Sequence, residues 1–387
     1  NFEPDKVIIG YGFGEFNKTK FIGNPQDFYY HILKDLISTL KDYINLNNNQ
    51  IEIIFDITHG INYTTALTHK ALKEILQILA YFFNIKFKIL NSDPFVGRSD
   101  VNKLNINIIE DTIIFPNLVF YKTQKNPIEP NSFKNQTKPK EINPEQFEQI
   151  GREINKFLND ISFDNKKHFE DIYNFLASFM YALPIYIISY LPNYIDLQDK
   201  IEKIFQKYQE YISIEQPSLK GIEHSSLKIE IIRKLRFSNN FENLLKAFLI
   251  SFILSKKGFT QLTEIPLDNI TTLKQILYDN KFPVESNRID KEIEDIKEIL
   301  EKFPTNDYKA YSEIKSEIKA MRFLNEQNKT TNNKYSKEVD KRNFFAHAGF
   351  EYNCIMIKKD EKIKLKINEN SREKIEKFLK NDLKTIE

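Results

Sequence analysis

Arg342, Asn343 and His347, in the run Arg-Asn-Phe-Phe-Ala-His, are three groups suited to phosphodiester chemistry. A guanidinium binds and neutralises a phosphate, an imidazole moves protons near neutral pH, and a side-chain amide orients either partner. At roughly 100° per residue, a helix over 335–348 places Asn343 and His347 one turn apart on a shared face. Arg342 flanks that face, while Phe344 and Ala348 point to the other side as a core-facing stripe. The spacing fits a solvated arginine and a hydrogen-bonded core histidine equally well, so a second constellation has to decide.

That constellation lies near the other end of the chain. The apolar run 51–57 reads as a buried strand and leads into Asp56-Ile57-Thr58-His59-Gly60-Ile61-Asn62, where a helix starts. In parallel α/β sheets, ligands sit at the carboxyl ends of strands, and the free amides of a helix start favour an anion such as phosphate. Thr58 offers a hydroxyl and Gly60 permits close backbone approach. Gly12, within Gly10-Tyr11-Gly12-Phe13-Gly14 at the end of an earlier strand, is placed to line the same edge. The plainer roles are a His59 that pins the turn and an Asp56 that holds the loop amides.

The elements that must position these groups follow from pattern. Strand and helix alternate over 1–125: a short strand at 6–9, a helix over 28–43, the strand 51–57, a helix over 62–83 and a strand over 85–90. This order predicts a Rossmann-like parallel sheet with helices on its faces, closed by a terminal hairpin or edge strands at 104–109 and 112–121. Residues 126–144 read as a linker or loop. A helical region follows over 145–256, with segments near 145–160, 167–191, 195–213, 224–236 and 240–256. Residues 257–387 form a last domain, with helices near 270–279, 286–302 and 308–327, the motif helix, a hairpin from 352–357 and 362–367, and a final helix capped by Ser371. The fold class is therefore α/β plus all-α with a small β-hairpin insertion.

Composition narrows the function. The 387 residues are 41% hydrophobic and 28% charged, the balance of a soluble chain with two or three cores. A net charge of +2 assigns any nucleic-acid contact to local patches rather than bulk charge. The single cysteine, Cys354, excludes an intramolecular disulfide and a thiolate cluster, and no His-Glu-x-x-His pair occurs. No resident metal or cofactor is expected, and a cytoplasmic location is. The uncharged stretch 173–191 contains Asn174 and Pro184 and has no basic flank, so it reads as buried helix, broken at Pro184, rather than a membrane span. Because a strand is expected within a few residues of Asn1, the α/β domain is expected to lack its first strand and helix here.

Together the two motifs resemble a known architecture. Asp-Ile-Thr-His-Gly-Ile-Asn resembles the DxTHG signature of CARF domains, and Arg-Asn-Phe-Phe-Ala-His resembles the Rx4–6H motif of HEPN ribonucleases. Their order is similar to that of the CARF–HEPN ribonucleases of type III CRISPR systems. The resemblance implies a cyclic-oligoadenylate activator, cyclic tetraadenylate before cyclic hexaadenylate, bound through Thr58, His59, Gly60, Ile61, Asn62 and Gly12. It also implies metal-independent cutting of single-stranded RNA by Arg342, Asn343 and His347, leaving a 2′,3′-cyclic phosphate. A homodimer, with dimers able to assemble further, completes each site, and 173–191 is a candidate for its core. Two alternatives stay open. One is a CARF sensor regulating transcription through a helix-turn-helix over 224–256, with Lys228, Arg233, Lys234 and Arg236 as a basic face. The other is a HEPN toxin-type nuclease with a different sensor.

Overall fold

The computed structural model describes residues 3–60, 62–94, 103–131, 144–161, 163, 167–215, 229–325 and 338–381. The chain opens with β1 (Gly14–Phe16), β2 (Thr19–Ile22), α1 (Gln26–Tyr43), β3 (Gln50–Asp56), α2 (Asn62–Leu79), β4 (Asn84–Ser92) and β5 (Ile106–Ile114). Next come β6 (Ile128–Pro130), α3 (Pro144–Asp160), α4 (Lys167–Met180), α5 (Pro184–Ser189), α6 (Tyr194–Glu210), β7 (Ile212–Glu215), β8 (Ile229–Arg233), β9 (Leu235–Phe237) and α7 (Asn239–Lys256). The last third holds β10 (Ile265–Pro266), α8 (Leu267–Leu277), α9 (Pro283–Lys302), β11 (Lys309–Ala310), α10 (Tyr311–Asn325), α11 (Lys341–Ala346), β12 (Ile355–Lys359), β13 (Ile363–Ile367) and α12 (Glu369–Asn381).

The chain divides into two compact units. Asn1–His168 and Tyr194–Ile250 belong to the first, Phe169–Asn193 and Ser251–Thr385 to the second. The expected helical region 145–256 is thus shared between them, and α4 and α7 each supply residues to both.

In the first unit, β3 and β4 run parallel while β5 returns antiparallel to β4. The α1 stripe of Ile32, Leu33 and Ile37 and the α2 stripe of Leu72, Ile75, Leu76 and Leu79 are buried, which follows from their helical spacing. A second sheet, in the order β1-β2-β8-β7, draws its strands from both ends of the unit. Beneath it, Phe237 stacks between Tyr208 and Phe241 at centroid distances of 4.2 and 4.4 Å. Asp27 is fully buried here and accepts from the Phe237 amide at 3.0 Å; burial lifts its carboxyl to about 6.

Several expectations are corrected. Residues 6–9 form no strand, and Val7 and Ile9 are 68% and 80% exposed. In place of the terminal hairpin or pair of edge strands expected over 104–109 and 112–121 there is the single strand β5, and 115–121 form no strand. The helix expected over 224–236 is β8 and β9 wherever it is described, because Ile229, Ile231 and Ile232 are β-branched and favour a pleated surface. With it goes the helix-turn-helix. Arg233 is 2% exposed, Arg236 pairs with Glu129 at 3.1 Å, and Lys228 lies outside the described residues. Most of the linker, 132–143, also lies outside the described residues, but β6 falls within the rest.

The second unit surrounds an antiparallel sheet in the order β10-β13-β12-β11. The stretch 173–191 is the end of α4 and all of α5, separated by 181–183 with Ala182 at φ 55° and with Pro184 opening α5, and nearly all of it is buried. Among the described residues no helix is long and apolar enough to cross a membrane. Ser371 is not an N-cap: α12 starts at Glu369, and the Ser371 hydroxyl donates to the Asn353 carbonyl at 2.8 Å.

Candidate active site and ligand turn

The catalytic motif sits on a shorter element than its spacing implied. Asp340 caps α11 by accepting the Asn343 amide at 2.8 Å. The helix then runs only to Ala346, and His347 stands at its C-cap. The one-turn relation survives, because the His347 amide donates to the Asn343 carbonyl at 2.9 Å. Phe344, on the opposite side, is fully buried and meets Tyr186 edge-on at 5.2 Å. Arg342 and His347 are left exposed on the motif, with Asn343 half-buried between them.

What fixes His347 is a residue the motif does not contain. The imidazole Nδ1 lies 2.6 Å from Oε1 of Glu292, on α9, whose side chain is 6% exposed against 49% for His347. An ionised carboxylate can only accept, so Nδ1 is the donor, and Nε2 is left for proton transfer. Glu292 shares the buried stripe of α9 with Ser286, Ile289, Ile293, Ile296 and Leu300. A lone carboxylate in that stripe was the available signal, since buried charges need partners. One turn earlier, Arg288 donates to the Phe345 carbonyl at 2.9 Å and the Tyr181 carbonyl at 3.3 Å, tying down the end of α11. Glu351, also buried, accepts from the Asn353 amide at 2.9 Å, and burial pushes its carboxyl up. Burial likewise pushes the Cys354 thiol far up, which makes it inert.

The chain leaves the motif through a left-handed turn, with Ala348 at φ 48° and Gly349 at φ 82°. A Cβ on Gly349 would come within 2.4 Å of the Tyr186 ring. Gly349→Ala is therefore expected to lower stability by about 3 kcal/mol, from overpacking plus backbone strain. Urea denaturation reads this directly, and an unchanged midpoint would contradict the tight seat.

In the first unit, both parallel strands deliver their carboxyl ends to the candidate ligand turn. The Ser92 amide, at the end of β4, donates to the Thr58 hydroxyl at 2.9 Å, and the Thr58 amide donates to Asp56 at 2.9 Å. Hydrogen bonds from the Thr58 side chain, then from its amide, hold the Asp56 carboxyl below the usual carboxylate range. Thr58 thus shapes the loop before any ligand arrives. His59, Gly60 and Asn62 are exposed at the start of α2, which carries no acidic residue in its first turn. Gly60 takes φ 148°, and a Cβ there would meet the Thr65 hydroxyl at 2.7 Å. Ile61 lies outside the described residues. Gly12 follows no strand, but the adjacent Phe13 amide donates to the Tyr63 hydroxyl at 2.9 Å, bringing the glycine loop to the first turn of α2. The Gly12 carbonyl accepts from Arg233 at 2.8 Å.

Two family models match the chain: the CARF domain of the CRISPR system endoribonuclease Csx1 over residues 2–94, and its HEPN domain over 282–369. The CRISPR system endoribonuclease Csx1 of Methanocaldococcus jannaschii is 30% identical over 366 residues, covering 91% of this chain and 68% of that protein. The chain belongs to the Csx1 family. The Csx1 HEPN match takes in α9 and α11 together, so Glu292 and the motif lie in one matched segment. The Csx1 CARF match covers Gly12 and the whole turn from Asp56 to Asn62.

Proposed function

We propose that this chain is a metal-independent endoribonuclease that cuts single-stranded RNA in type III CRISPR defence when a cyclic oligoadenylate binds its CARF domain. The observation that carries the reading is a half-exposed imidazole at the C-cap of α11, anchored through Nδ1 by a buried carboxylate, with an exposed guanidinium in the first turn of the same helix. In the proposed reaction the substrate 2′-hydroxyl attacks the adjacent phosphorus, and its proton passes to an imidazole Nε2. The 5′-oxygen departs and takes up a proton, leaving a 2′,3′-cyclic phosphate and a 5′-hydroxyl. Arg342 stabilises the charge that builds on the phosphorane oxygens. Asn343 has its amide N–H engaged by Asp340, and its side chain orients the phosphate or His347.

The motif supplies one imidazole per chain, so base and acid come from the two protomers of a homodimer. The activator is cyclic tetraadenylate, with cyclic hexaadenylate as the alternative. His59, Gly60, Asn62 and the first amides of α2 from each protomer meet its phosphates, and Thr58 and Gly12 shape the turn that presents them. Cleavage of a fluorescent single-stranded RNA in EDTA, with and without each cyclic oligoadenylate, tests the reading. Cutting is expected only with activator, and the products are expected to end in cyclic phosphate. Constitutive cutting would transfer the chain to the toxin-type reading. No cutting under any condition would overturn the assignment.

A further inference from the structure

We infer that the outer face of the β10-β13-β12-β11 sheet, together with the cleft at its margin, holds single-stranded RNA through residues distinct from the catalytic motif. Leu365 and Ile367 are buried, so the alternating Lys364 and Lys366 of β13 stand on the opposite face. Cross-strand register pairs Lys358 with Lys364 and Met356 with Lys366, which puts three ammonium groups on one side of a two-stranded ribbon. Like charges paired directly across strands are destabilising. Asp360, at 3.4 Å from Lys358 and 3.2 Å from Lys364, and Glu264, at 3.9 Å from Lys358, offset part of this.

Lys366 adds only a longer-range attraction to Glu369, whose carboxylate is taken by Arg372. Its ammonium lies over the Tyr308 ring at 4.2 Å, and Lys358 lies over the same ring at 4.8 Å. An aromatic ring flanked by two cations suits a polyanion that also carries stacking bases. Lys366 also lines a cleft of about 230 Å³ with Arg372, Glu369, Glu264, Thr263 and Ser189. Glu369 holds the Arg372 guanidinium with two hydrogen bonds, at 2.6 and 2.7 Å, fixing its plane. The cleft is smaller than the roughly 300–1,000 Å³ of a drug-sized site, so it accommodates one ring system rather than a whole small-molecule ligand. Lysines for phosphates, and a base-sized cleft of mixed polar and apolar lining bounded by one of them, point to a strand of RNA.

The choice of RNA as the polyanion rests on the ribonuclease reading, so binding is the primary readout. A 2′-O-methyl single-stranded oligonucleotide, which lacks the attacking hydroxyl, would be titrated into the full chain by fluorescence anisotropy at several salt concentrations. The comparison is Lys358→Gln/Lys364→Gln/Lys366→Gln, in which the charges are removed and folding is checked by thermal melting. Dissociation is expected to weaken about tenfold, with the salt slope reduced by about two. Lys366→Gln alone, should the triple variant melt early, is expected to reduce the slope by about 0.7. Unchanged affinity and slope, or no binding by the native chain at low salt, would overturn the inference. Lysine-dependent binding by a chain that cuts no RNA would overturn the ribonuclease reading and leave this surface standing.

Discussion

His347→Ala is expected to lower activator-stimulated RNA cleavage by about a thousandfold, within the range for loss of a positioned acid–base group. Arg342→Ala should lower it by about a hundredfold, as for loss of one group aimed at developing charge. Both side chains are exposed, and the packing of α11 is carried by Phe344 on the other side. Arg342→Ala should leave the melting temperature within a degree or two, whereas His347→Ala leaves the buried Glu292 carboxylate without its partner and should lower it by several degrees. The double variant should be little worse than His347→Ala, because groups that serve one transition state are not additive. Single-turnover cleavage at saturating activator measures all three. Native-rate cutting by His347→Ala would end the assignment of this motif to catalysis.

Glu292→Ala is expected to reduce turnover by about thirtyfold while leaving RNA affinity unchanged, as loss of an orienting partner does. The carboxylate is the described partner of His347 Nδ1, at 2.6 Å, and without it the ring is free to rotate and exchange tautomers. Glu292→Gln should recover part of the loss, because its carbonyl oxygen can still accept from Nδ1. Stability should move the other way. A buried carboxylate in an apolar stripe costs desolvation energy, and Glu292→Met fills the same space without it. Glu292→Met is therefore expected to melt no lower than the native chain while cutting as poorly as Glu292→Ala. A melting temperature that fell together with activity in every variant would mean that Glu292 is a packing residue only.

The long amphipathic helices were legible because α1, α2 and α9 bury their apolar residues at helical spacing. The strand β3 and its turn were legible as a strand leading into a helix start, but the buried strand expected over 51–57 is an edge strand among the described residues, with Ile54 58% exposed. The errors have local causes. Val7, Ile8 and Ile9 form an apolar run with no sheet partner among the described residues, and an apolar run alone cannot supply one. In β8 and β9 the basic residues invited a surface reading, yet Arg233 is buried beneath the glycine loop with one hydrogen bond to the Gly12 carbonyl. At the active site, spacing identified Arg342, Asn343 and His347, whereas Glu292 lies 55 residues from the histidine it holds. Local pattern carries no term for such a pair.

The division of the chain at 168/169, 193/194 and 250/251 has a consequence for inheritance. The HEPN match spans 282–369, but the wall behind the motif comes from elsewhere in the sequence. Tyr186 meets Phe344 edge-on and donates to the Gly349 carbonyl at 3.3 Å, and Tyr181 packs on Phe345 at 4.8 Å. Both tyrosines lie in Phe169–Asn193, which enters the chain between two stretches of the other unit. A gene fragment cut at the HEPN boundary would leave that wall behind. The catalytic unit therefore cannot be exchanged between proteins as one contiguous module, and recombination that preserves it must carry its host unit along.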